Sequence, residues 1–271
     1  MPDIASLGLL FGFLVLVGGV AGIISGLLGV GGGIVLVPAF FYMFSALGYQ
    51  SAGLMQVCVA TSLATIIVTS ARSVMAHHKK GAVDWVMLKQ WALPIAIGAV
   101  AGVVVVSHLH THTLQIIFGT MLLLIAAYMI VGKASWRISD NPPSALFRAW
   151  FAPLMGFMSV LLGIGGGSIG TPMQTLHNIP IHRAVATSSG FGVLIAIPST
   201  VGFLLTHVEN APPYTLGAVN IPAFLVVIAV SVITAPWGAA LAHRLPARQL
   251  KIAFAVFLML IALNMLRKAL F

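Results

Sequence analysis

GLLGVGGGIVLVP, residues 26–38, decides how this chain folds. Apolar residues on both sides suit a helix in lipid, yet Gly31, Gly32 and Gly33 stand in the middle of the run. Each glycine costs a helix about 1 kcal/mol relative to alanine. Three in a row therefore mark a place where the backbone turns or approaches something closely. The spacing predicts a break, with a new short helix beginning at Gly33-Ile34. The same stretch returns as LLGIGGGSIGTP, residues 161–172, where Gly165, Gly166 and Gly167 precede a second expected start at Gly167-Ser168. Leu28 maps onto Leu162 and Pro38 onto Pro172, both at an offset of 134 residues.

Working outward, the duplication extends along the chain. VATS at residues 59–62 recurs at 185–188, and Gly81-Ala82-Val83-Asp84 recurs as Gly217-Ala218-Val219-Asn220. Leu109 and Leu114 align with Leu245 and Leu250. Matching order and spacing is more than the shared composition of glycine-rich apolar helices, and it is the mark of an internal repeat. The copies occupy residues 1–134 and 148–271, joined by a polar linker at 135–147 in which Asn141-Pro142-Pro143 interrupts helix on both sides.

Composition places the chain in lipid. Sixty per cent of its 271 residues are hydrophobic and 6% are charged, against roughly 25% charged in soluble domains. So few charges cannot solvate an outside, so the outside faces the bilayer. Helices are expected near residues 6–28, 34–47, 54–76, 86–107, 113–132, 148–162, 168–177, 184–206, 221–243 and 249–268. Strands are not expected, because no run alternates as a membrane barrel does. The net charge of +9 fits basic loops between spans rather than nucleic-acid binding.

Charge placement orients the copies. The loop at 72–89 holds Arg72, Lys79, Lys80 and Lys89, whereas its counterpart at 207–216 holds Glu209 and no Lys or Arg. The loop at 107–113 has no Lys or Arg, whereas its counterpart at 243–251 has Arg244, Arg248 and Lys251. By the positive-inside rule, equivalent loops lie on opposite sides of the membrane. The expected fold is an all-α polytopic membrane protein of two inverted repeats. Each repeat has a glycine-broken hairpin or re-entrant pair followed by three transmembrane helices. Both termini then lie outside the cytoplasm, although Arg267 and Lys268 run against that placement.

Helix N-termini present unpaired N–H groups and a positive dipole end. Two such ends converging at mid-membrane form an anion site that needs no buried cation. The candidate binding residues are Gly31, Gly32, Gly33, Gly165, Gly166, Gly167 and Ser168. The hydroxyls of Thr61, Ser62, Thr187 and Ser188 and the amide of Gln174 can donate to an anion's oxygens. The competing readings are close helix packing through small residues and hydroxyls bonded to the carbonyl four residues back. Arg72 reads as a helix-end charge or a pathway cation. His177, Asn178 and Arg183 read as loop residues.

Asp3, Asp84, Asp140 and Glu209 all fall outside the apolar cores, which argues against a buried-carboxylate proton relay and against a cationic cargo. His108, His110 and His112 alternate in a polar connection without supporting carboxylates, and Cys58 is the only cysteine. Neither pattern implies a metal, and no catalytic constellation, nucleotide loop or cofactor motif is present.

GLLGVGGGIVLVP, VATSLATIIVTSARSVMAHHKKGAVDW, LLGIGGGSIGTP and VATSSG together resemble the sulfite exporter TauE/SafE family over about residues 8–268. The resemblance implies a multi-pass protein of the bacterial inner membrane carrying sulfite, sulfoacetate or related organosulfur anions. A homodimer is one assembly compatible with the sequence. An anion channel, or a transporter of another small carboxylate, satisfies the same features. The second copy departs from the first at Asn220, where Asp84 stands, and at Ser168, where Ile34 stands.

Overall fold

A computed structural model describes residues 4–28, 31–132, 136–242 and 247–270. Within them the chain forms ten α-helices. The first half contributes α1 (Ile4–Leu28), α2 (Gly33–Ala46), α3 (Leu54–His78), α4 (Trp85–His108) and α5 (Thr111–Val131). The second contributes α6 (Ala145–Leu161), α7 (Gly167–Leu176), α8 (Ile181–Leu204), α9 (Ile221–Ala242) and α10 (Ala247–Leu270). Every boundary lies within three residues of the sequence expectation. The largest differences are early starts. Ser144 Oγ accepts the Phe147 N–H at 3.2 Å and so opens α6 at Ala145, while α8 begins directly after Pro180.

One expectation is corrected. A two-stranded antiparallel pair, β1 (Thr215–Leu216) and β2 (Val219–Asn220), precedes α9. Gly217 makes its turn at φ +60°, a conformation open to glycine. Two residues per strand are too few to show an alternating pattern, which is why the sequence hid them.

Five described helices are long and apolar enough to cross a membrane: α3, α4, α5, α8 and α9. α1 and α10 match them in length, at 25 and 24 residues. The 14 residues of α2 and the 10 of α7 give rises of about 21 and 15 Å, short of the ~30 Å hydrocarbon layer. Burial separates inner from outer helices. Leu54 through Ile66 of α3 are all buried. On α4, Leu93, Ile97, Val100 and Val104 are each more than half exposed. They repeat at helical spacing, so they form one apolar stripe that water would not tolerate and lipid would.

Packing interleaves the halves. The principal pairs are α1 with α9, α4 with α6, α5 with α10 and α3 with α8. Exchanging each helix for its counterpart in the other copy leaves this set unchanged. Glycines bring α4 and α6 close: a Cβ at Gly98 would collide with the Pro153 carbonyl, and one at Gly156 with that of Ile95. On α1 and α9, Gly22 and Gly238 do the same against Thr234 and Ile23.

The equivalent helices α3 and α8 run antiparallel. Ser73, late in α3, lies 3.0 Å from Ser189, early in α8, hydroxyl to hydroxyl. At one end of the bundle, here the basic end, α3 finishes beside Lys79 and Lys80 and α4 and α8 begin. At the opposite end, Gln56 Nε2 donates to the Ser107 and Leu109 carbonyls at 3.2 and 3.0 Å. There too the Lys268 ammonium sits 4.8 Å from the Tyr42 ring.

Candidate site at the paired helix breaks

The glycine clusters interrupt the helices where the sequence places the breaks. α2 begins at Gly33 and α7 at Gly167. Gly31 and Gly32 each hold φ +77°, and Gly163 holds +57°. These left-handed conformations disfavour any side chain with a Cβ. All six predicted glycines are buried. The two breaks touch: a Cβ at Gly33 would collide with the Gly163 carbonyl oxygen and stand 3.0 Å from Ile164 Cα. Mid-helix residues of α3 and α8 surround them, with Ile66 and Ser70 against Gly31 and Phe191 against Gly166.

The VATS segments have structural partners in the opposite half. Thr61 Oγ1 accepts the Asn220 backbone N–H at 2.9 Å, and Thr187 Oγ1 accepts the Asp84 N–H at 3.1 Å. Asp84 and Asn220 in turn cap the next helices. Asp84 Oδ1 accepts from Met87 N at 2.9 Å, and Asn220 Oδ1 accepts from Ala223 N at 3.1 Å. Asp and Asn are equally good N-caps, which accounts for the difference between the copies at this position. Ser62 donates to the Gly163 carbonyl at 2.8 Å, so it braces the second break. Ser188 Oγ accepts from Gln174 Nε2 at 2.7 Å, tying α7 to α8.

Ser168 is different. Its Oγ is buried and finds no hydrogen-bond partner in the protein, as are Thr171 Oγ1, three residues on in α7, and Ser159 Oγ, near the end of α6. Three unsatisfied hydroxyls flank one helix break. Leaving such a group buried and unpaired costs about 1–3 kcal/mol, a cost that a water or a ligand bonded to it removes. Sequence reading found Ser168 through its place after the glycines. It missed Thr171, which lies within the repeated stretch but was not singled out, Ser159, which lies outside it, and Ser70, which stands between the first break and Gly192.

One expectation about loops is corrected, that for Arg183, while His177 lies in the turn after α7 as expected but is not solvent-exposed. His177 is buried at 6% exposure. Its Nδ1 lies 2.9 Å from the Met173 carbonyl and its ring 4.9 Å from that of Phe147. Arg183 belongs to the first turn of α8 and pairs with Asp84 at 3.8 Å. Asn178 does sit between helices, at φ +60°. Residues 136–144 are irregular and are fastened to α7, since the N–H groups of Ile138 and Ser139 donate to the Leu176 carbonyl at 2.8 and 3.3 Å. A cavity of about 240 Å³ at the basic end brings Gln174, Thr187, His177, Arg183 and Asp84 together.

The family model for the sulfite exporter TauE/SafE matches residues 14–265. A probable membrane transporter protein of Haemophilus influenzae is 31% identical over 255 residues, covering 93% of this chain and 97% of the relative. One of Methanocaldococcus jannaschii is 27% identical over 259 residues, 95% and 96% of the two chains. One of Bacillus subtilis is 28% identical over 220 residues, 74% and 80%. No solved structure gives a significant match.

Proposed function

Because the chain belongs to the sulfite exporter TauE/SafE family of membrane transporters, we propose that it carries small anions, sulfite or organosulfonates such as sulfoacetate, across a bacterial inner membrane. One observation carries the reading. Two interrupted backbones meet between α3 and α8, and the hydroxyls of Ser159, Ser168 and Thr171 are buried beside the second of them without a protein partner. Hydroxyl and N–H donors complement an oxyanion, which is acceptor only, and the start of α7 adds its positive dipole end. The described carboxylates Asp84, Asp140 and Glu209 all stand outside the spanning helices, so the donors face no competing fixed negative charge there.

The copies, residues 1–134 and 148–271, are read as inverted with respect to each other. The antiparallel course of α3 and α8 and the opposite charge bias of equivalent loops support this. Rocking of one copy against the other then exposes the breaks to each side in turn.

The test replaces the unpaired hydroxyls, because removing them leaves no protein group orphaned. Ser168→Ala combined with Thr171→Ala is expected to keep or raise the melting temperature. Sulfite or sulfoacetate uptake into proteoliposomes at sub-saturating concentration falls about tenfold or more, the worth of one or two hydrogen bonds to a charged ligand. Undiminished uptake with a correctly folded variant removes the site.

A further inference from the structure

A second depression lies at the basic end, between α1, α3 and α9, with a volume of about 430 Å³. Its charged lining comes from Arg72, Lys79 and Lys80, with His77 beside them and Ser25 and Ser73 on its walls. The two ion pairs among the described residues, Arg137–Asp140 and Arg183–Asp84, lie elsewhere. The side chains of Arg72, Lys79 and Lys80 make no hydrogen bond or ion pair with a described residue, and Asp84, Asp140 and Glu209 do not line the cavity. Three uncompensated cations thus share one concave surface, in a chain with only 13 Lys and Arg among 271 residues. Concave low-dielectric walls concentrate such a field and draw in anions.

Polar groups continue inward from the cavity along α3. Arg72 stands seven residues before Lys79 on α3, about 10 Å deeper along the helix axis. Next to it, Ser73 meets Ser189 of α8 at 3.0 Å. Ser70, nearly one turn further in, lies against both Gly31 and Gly192. A cationic mouth, a pair of hydroxyls and the first helix break therefore follow one another along α3.

We propose that this cavity is the loading site for the transported anion at the basic end, and that it selects compact oxyanions of –SO₃ or phosphate type carrying more than one negative charge. The proposal rests on the transport reading for its role, but not for its occupancy. A guanidinium offers a planar fork of donors to such a group and ammoniums offer point charges. Three cations match a dianion better than a monoanion. The volume suits a small solute with part of its hydration shell.

The test is calorimetric binding of sulfate to the full chain in nanodiscs of neutral phosphatidylcholine. Saturable binding is expected. Arg72→Gln weakens it about tenfold or more, whereas Lys89→Gln, outside the cavity, leaves it unchanged. Affinity for acetate is expected to be far lower. Equal sulfate affinity in the Arg72→Gln variant overturns the proposal. So does loss of sulfate binding when phosphatidylglycerol is added, because the occupant is then a lipid headgroup phosphate. In proteoliposomes, Arg72→Gln is expected to raise the KM for substrate presented at the basic end and leave the maximal rate unchanged. Ser168→Ala with Thr171→Ala is expected to leave sulfate binding at the cavity intact. If flux proves insensitive to those hydroxyls while Arg72 still governs sulfate affinity, the helix-break site fails and the loading site stands.

Discussion

At the scale of single residues, Thr61 and Thr187 hold the two copies together. Each threonine oxygen accepts a backbone N–H from the opposite half, across 159 and 103 residues of sequence. Thr61→Val keeps the shape and removes the acceptor, leaving the Asn220 N–H buried and unpaired. It is expected to destabilise the fold by about 1–3 kcal/mol, while Thr61→Ser restores most of the loss; thermal unfolding of the purified variants measures both. Asp84→Asn is expected to change stability by less than about 1 kcal/mol, because the chain already uses Asn220 as the matching cap. The VATS repeat was legible in the sequence as a paired element. Its bonding was not, because a partner so far along the chain leaves no local pattern. Gln174 was likewise visible as a polar residue in a short helix, but its attachment to Ser188 depends on how α7 packs against α8.

At the scale of elements, the glycine breaks separate two kinds of glycine. Gly33 sits where a Cβ would collide with the Gly163 carbonyl, whereas Gly12 of α1 has nothing within 4 Å of its would-be Cβ. Gly33→Ala is expected to drive the two breaks apart, lowering both the yield of folded protein in detergent and its melting temperature. Gly12→Ala is expected to be neutral or slightly stabilising, as alanine favours helix by up to about 1 kcal/mol. Size-exclusion profiles and melting curves distinguish the pair. The breaks and all ten helices were legible because lipid demands long apolar runs and glycine triplets violate them. The β1–β2 turn and the burial of His177 were not, since each depends on contacts made only after the helices assemble.

At the scale of the whole molecule, the reading of inverted copies makes a topological prediction. Lys80 and Glu209 follow α3 and α8 in equivalent loops, and both are exposed. Cys58 is fully buried, so the unsubstituted chain is expected to be silent to a polar maleimide. Lys80→Cys and Glu209→Cys are expected to label from opposite faces of sealed vesicles. Labelling from the same face removes the inversion. The expected orientation rests on the loop charges alone, because glycine-rich helices read alike in either direction.

The interleaved pairing of α1 with α9 and α4 with α6 bears on how the protein is made. Leu28 leaves the ribosome long before Ala242 exists, so the opening helix waits in the membrane without its mate. Its close-approach glycines stay open to other proteins until translation nears its end. Neither half is expected to be self-sufficient. A chain severed within residues 136–144 is expected to accumulate only when both fragments are synthesised in the same cell, and either fragment alone is expected to be degraded.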